Sequence, residues 1–193
     1  LEKLNREKEV VGIYLSGHPL DDYRFEIKQF CNTRIKELSD LENLKKKQGE
    51  LRFAAIVTEA QHRISKNGKP FGILVVEGYE ESHRLMLFSD DYIKFKSFLT
   101  PGWFLFIRGR AQQPQWRNEP EFKISGIELL SEVREKFIEY LNLQIDFQQV
   151  DEPLLKWIKN IGSDKKGYCR MAISLVDPAK KHKIKLRSTE MKL

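Results

Sequence analysis

Residues 49–130 read GELRFAAIVTEAQHRISKNGKPFGILVVEGYEESHRLMLFSDDYIKFKSFLTPGWFLFIRGRAQQPQWRNEPEFKISGIELL. Five segments in it, at about 50–63, 70–78, 83–88, 103–112 and 121–130, are rich in Phe, Ile, Val and Leu and have the length of strands. Asn67-Gly68 marks a hairpin between the first two, and Glu80-Glu81-Ser82 turns the chain into the third. Ser89-Asp90-Asp91 is read as the cap of a helix carrying Tyr92, Phe95 and Leu99, and Pro101-Gly102 turns the chain into the fourth strand. Three strands, a helix and two more strands predict a mainly β fold with some α. The architecture expected is a five-stranded Greek-key barrel of the OB type, whose usual ligands are single-stranded nucleic acid and oligosaccharide.

Upstream, residues 2–15 carry an apolar stripe of Leu4, Val11 and Leu15 and predict a helix stopped by Gly17 and Pro19. Residues 20–30 predict a second helix, with Asp21 and Asp22 in its first turn. Thr33 to Leu38 reads as extended, and Ser39-Asp40-Leu41-Glu42 as a capping box opening a short helical turn. Downstream, residues 132–150 fit a helical turn in their first part and an alternating strand in their second. A helix is expected from Asp151 to about Asn160, closed by Gly162. A hairpin follows around Asp177-Pro178-Ala179-Lys180. The domains expected are therefore a helical segment over 1–48, an OB domain over 49–131 and a partial α/β domain over 132–193. The first residue is not Met and the last residues resemble an interrupted strand, so the chain reads as a piece of a longer protein.

The chain has 193 residues and a net charge of +6. Its 12 Phe, 6 Tyr and 3 Trp suffice for a packed core. No apolar run approaches the ~20 residues of a membrane span. Cys31 and Cys169 stand alone, as free thiols do in a reducing cytoplasm, the compartment expected here. Residues 50–131 carry eleven basic and ten acidic side chains, so any anion-binding face there must come from local clustering. Residues 132–193 carry thirteen basic and nine acidic ones.

Catalytic residues are expected to be none, and metal ligands none. Asp21-Asp22 and Asp90-Asp91 sit at helix starts, where aspartate caps backbone donors. The four histidines lack the pairing of a zinc site, and no glycine-rich phosphate loop or nucleophile elbow occurs. His18, held between Gly17 and Pro19, reads as a structural residue that packs and caps its turn. Single-strand binding needs a positive groove with aromatic platforms. The candidates are Arg63, Lys66, Lys69 and Phe71 at the first hairpin, Arg84, Arg108 and Arg110 on the third and fourth strands, and Trp116 and Arg117 in the loop before the fifth. Further on, Lys183, Lys185 and Arg187 alternate with Ile184 and Leu186. That strand is either a binding face or a solvated edge guarded by lysines.

Val11-Gly12-Ile13-Tyr14-Leu15-Ser16-Gly17-His18-Pro19-Leu20-Asp21-Asp22-Tyr23 resembles a segment of the bacterial DNA polymerase III alpha subunit that closes a helix-hairpin-helix region just before an OB domain. Ala55-Ile56-Val57-Thr58, Lys66 to Phe71, Leu87-Phe88 and Arg108-Gly109-Arg110 continue the likeness in order. The resemblance implies a C-terminal part of a replicative DNA polymerase, a nucleotidyltransferase whose catalytic aspartates and Mg²⁺ lie upstream. It implies no activity and no cofactor for this part, which would hold single-stranded template DNA. The partners implied are other replisome subunits: clamp loader, sliding clamp or single-strand binding protein. The rival expectation is a protein-interaction module docking the clamp loader or single-strand binding protein, with DNA contact incidental.

Overall fold

The computed structural model describes residues 10, 14, 16–47, 49–115, 118–164, 169–179 and 182–192. The helix expected over 2–15 falls almost entirely outside them. The chain forms two compact units, one up to Val133 and one from Arg134 onward.

The first unit is built on an antiparallel sheet: β1 Leu51–Ile64, β2 Pro70–Glu77, β3 Ser82–Phe88, β4 Phe104–Gln112 and β5 Glu121–Leu129. The strand order is β3-β2-β1-β4-β5. The long β1 serves both halves: residues 51–56 pair with β4 and residues 56–64 with β2, with a bulge between Val57 and Glu59 that re-aims the strand. This is the Greek-key order expected of an OB fold. Hydrogen bonding does not close the barrel, since β3 and β5 remain the edges. Helix α3, Ser89–Phe95, links the two edges instead. It follows β3 directly and is tied to β5 by the Asp91–Lys123 ion pair at 2.5 Å and by Lys94 Nζ donating to the Ser125 carbonyl at 3.3 Å. Inside lie Phe53, Ala55, Leu74, Val76, Leu87, Leu105 and Ile107, each essentially inaccessible. Each belongs to the inward set of its strand, as period-two alternation requires.

The upstream segment belongs to the same core. α1 Arg24–Phe30 follows a 3-10 turn at Pro19–Tyr23, and α2 Leu41–Lys46 follows another at Ile35–Ser39. The second turn corrects the extended reading of Thr33–Leu38. Ile35 and Leu38 are three apart and both buried, a helical spacing, and the Glu37 carboxylate accepts the Arg34 N–H at 2.9 Å to close it. The cap of α2 is Asp40, which accepts from the Asn43 N–H. Ser39 donates back to the Lys36 carbonyl, so the capping box expected at Ser39 does not form. Ser89 likewise caps nothing: it is the first residue of α3, at φ 48°, with Phe88 in the cap position and no side-chain acceptor. His18 does cap. Its Nδ1 accepts the Leu20 N–H at 3.1 Å, while Asp21 accepts the His18 N–H at 3.0 Å.

The second unit contains α4 Val133–Phe137 at its boundary, β6 Tyr140–Asp146, α5 Glu152–Asp164, β7 Arg170–Asp177 and β8 His182–Lys192. β6 and β7 are parallel, β7 and β8 antiparallel. Both readings of 132–150 are realised in turn, helix and then strand. α5 continues through Gly162 instead of ending there. A lone helical glycine costs only about 1 kcal/mol and does not by itself terminate a helix.

Candidate nucleic-acid interface

Strand registers decide which candidates share a surface. On the outer face of β1–β3 the directly paired rows are Arg63–Phe71–Phe88, Gln61–Ile73–Met86 and Glu59–Val75–Arg84. The centre of this face is aromatic and apolar, and it is open: Phe88 is 54% and Met86 42% exposed. The rings of Phe71 and Phe88 stack at 5.5 Å with 27° between their planes. Behind them, Gly72 leaves room for α3. A Cβ at Gly72 would stand 3.1 Å from the Tyr92 ring of α3 and 2.5 Å from Leu99 Cδ2 just beyond that helix.

The hairpin above this face is Ser65-Lys66-Asn67-Gly68-Lys69. Gly68 adopts φ 73°, which suits glycine, and its N–H donates to the Ser65 carbonyl at 2.9 Å. The Ser65 hydroxyl accepts the Lys69 N–H at 3.1 Å. The turn is therefore locked by its own backbone while the Lys66 and Lys69 side chains stay exposed. Arg63 and Arg84 are exposed too, and none of these four cations forms an ion pair with the described residues.

Arg108 is placed differently. Its guanidinium binds Glu128 at 2.7 Å, approaches Glu50 at 3.7 Å and lies over Gly126. The Glu128 hydrogen bond, foremost, raises its already high pKa. It is an internal ion pair between β4 and β5. Arg110 is exposed further along β4, on the other side of β1 from the Phe71–Phe88 face. Trp116 and Arg117 lie outside the described residues. Gln112 continues β4 beyond Gly109, the partner of Leu51, whereas Ile64 pairs with Pro70. The two candidate loops thus leave opposite ends of β1.

Sequence reasoning missed Phe88, Met86 and Ile73. The signal was present in His83-Arg84-Leu85-Met86-Leu87-Phe88: if Leu85 and Leu87 point inward, Arg84, Met86 and Phe88 point outward together. His83, on the inner set, is half-buried, and desolvation pushes its pKa below the usual histidine value. Among the described residues no group of His, Cys, Asp or Glu could hold a metal ion. No helix among them is long and apolar enough to cross a membrane.

No family model matches the chain. Over 97% of its length it is 28% identical to the DNA polymerase III subunit alpha of Borreliella burgdorferi. Over 81% it is 26% identical to that of Escherichia coli K12, and over 92% it is 22% identical to that of Pseudomonas fluorescens. The chain spans 13–16% of the length of these curated relatives. Among solved structures, the SSB domain of a Synechococcus protein aligns with 42% of the chain at 15% identity and a TM-score of 0.31.

Proposed function

We propose that this chain is the OB-domain region of a replicative DNA polymerase III alpha subunit and holds single-stranded template DNA on the outer face of β1–β3. The whole subunit would be the DNA-directed polymerase. This region would contribute capture of the strand, without a phosphoryl-transfer step of its own. The observation that carries the reading is the stacked Phe71–Phe88 pair, with Phe88 exposed and Phe71 half-buried, beside four cations that have no carboxylate partner among the described residues. Bases stack on such rings whatever their identity, and phosphates are attracted to the cations, so the binding would be salt-dependent and tolerant of sequence.

The test is a salt titration of binding to labelled oligo-dT. Neutralising Lys66 and Lys69 together (Lys66→Gln, Lys69→Gln) removes about two phosphate contacts. The slope of log affinity against log salt should then fall by roughly 1.4. An unchanged slope and affinity sink the reading.

A second reading has its own support. Ile73, Val75 and Met86 form an apolar centre that would also suit a protein surface of the replisome, such as the clamp loader, the sliding clamp or single-strand binding protein. It predicts loss of partner binding on Met86→Glu with oligonucleotide affinity untouched.

A further inference from the structure

The second unit presents a sheet face with a composition of its own. Arg170 donates its N–H to the Glu139 carbonyl at 2.9 Å, which aims the even-numbered backbone groups of β7 at β6 and fixes the sides of the sheet. Odd-numbered residues of β6 and β7 share one face: Leu141, Leu143 and Ile145 beside Met171, Ile173 and Leu175. A right-handed β6–α5–β7 crossover lays α5 on that face. Met171 and, from the helix, Ile158 are both buried.

The even-numbered face is the opposite one and reads differently. Tyr140 pairs with Arg170, Asn142 with Ala172 and Gln144 with Ser174. Across β7, Ser174 pairs with Lys185 and Val176 with Lys183. The floor is made of the small residues Ala172 and Ser174, both fully buried, and the Ser174 hydroxyl donates to Asn142 Oδ1 at 3.0 Å. Above the floor stand Tyr140, 41% exposed, and the exposed cations Arg170, Lys183 and Lys185. Lys185 Nζ lies 5.1 Å from the centroid of the Tyr140 ring. One carboxylate on this face, Asp146, is half-buried and accepts the Gln148 N–H at 3.0 Å. The side chains of Arg170 and Lys183 meet no carboxylate among the described residues.

We infer that this face is a second single-strand nucleic-acid site, independent of the one on β1–β3. An exposed aromatic ring flanked by Arg170 and Lys185, with Lys183 further along the same face, offers a base a stacking partner and its phosphates a positive border. The charge of the face excludes a cationic partner, and its lack of apolar side chains beyond Tyr140 and Val176 disfavours a hydrophobic protein surface. The occupant is thus a single strand.

The experiment uses the full chain with the first site disabled by Phe88→Ala, Lys66→Gln and Lys69→Gln. It reads anisotropy with a labelled 30-nucleotide dT strand. Residual salt-dependent binding is expected. Adding Lys183→Gln and Lys185→Gln should lower its salt slope by about 1.4. Adding Tyr140→Ala should weaken it on the order of 5- to 150-fold, while Tyr140→Phe should preserve it. Photocrosslinking with 4-thiothymidine should place an adduct on Tyr140. Absence of residual binding, insensitivity to these changes, or equal competition by polyglutamate and dT at matched charge overturns the proposal. Melting curves of each variant separate loss of binding from loss of fold.

Discussion

Phe71 and Phe88 occupy directly paired positions of β2 and β3, and their rings stack on the outer side of the sheet, 5.5 Å apart. Neither ring contributes to the inner core, whose members are the alternate residues Leu74, Val76, Leu85 and Leu87. A ring left half in water, as Phe88 is beside the partly buried Phe71, is costly to solvate unless something covers it.

Phe88→Ala should therefore separate binding from stability. If a base stacks on the pair, the change should cost roughly 1–3 kcal/mol of single-strand affinity and leave the salt slope nearly unchanged. The melting temperature should move little, because Phe88 is 54% exposed in the folded chain. Anisotropy at several salt concentrations, beside a thermal melt, checks both halves. A parental affinity would remove Phe88 from the binding face.

Two buried sheet glycines should respond unequally to the same substitution. A Cβ at Gly126 would stand 2.6 Å from Arg108 Nη2, the far end of a flexible side chain. Arg108 can swing aside and give up part of its bond to Glu128, at a cost of about 1 kcal/mol or less. A Cβ at Gly109 would collide with the Lys123 carbonyl oxygen and the Phe122 ring, and the backbone there cannot retreat without breaking the β4–β5 ladder. Overpacking of that kind costs about 1–3 kcal/mol or more. Urea titration of Gly109→Ala and Gly126→Ala should rank them in that order, and the reverse ranking would refute the account.

His18 holds the turn before α1 in three ways. It caps Leu20, and its ring packs on Tyr79 at 4.5 Å and Tyr14 at 5.1 Å. Tyr79 in turn donates to Asp21 at 3.2 Å, which connects the turn to the β2–β3 connection. His18→Ala should destabilise by about 0.5–2 kcal/mol, the range for lost caps. Oligonucleotide affinity should be unaffected. A variant with parental melting and weakened binding would instead make His18 part of a binding surface.

His83 should make stability depend on pH. Desolvation lowers its folded pKa below the ordinary 6.5, so the unfolded chain takes up this proton first. Above about pH 6.5 both states are neutral at this site and its full contribution is present. Stability is lost as pH falls below that value toward the folded pKa, because there the unfolded state binds more protons. Urea midpoints of the parent and of His83→Gln between pH 8 and pH 5 should diverge on the acid side. Parallel curves would mean the histidine is solvated.

Much of this protein was legible in its residues. Period-two alternation in the strands from Leu51 to Leu129, the Asn67-Gly68 turn and the single helix after Phe88 predict the sheet and its order, because strand identity and tight turns are set by neighbours in sequence. The exposed lysines of the hairpin follow from the same local chemistry. The tertiary structure alone decided the rest. Arg84 and Arg108 look equivalent in sequence. Pairing of β4 with β5 brings Glu128 to Arg108, twenty residues away, whereas the β2–β3 register sets Arg84 opposite Val75, and no carboxylate among the described residues forms an ion pair with it. Ile35 and Leu38 read as a strand until burial against the sheet core favours the turn that points both inward. Lys185 of β8 acquires a ring to flank only when a parallel crossover sets Tyr140 on the same face. Such juxtapositions depend on chain closure over tens of residues, which no local pattern encodes.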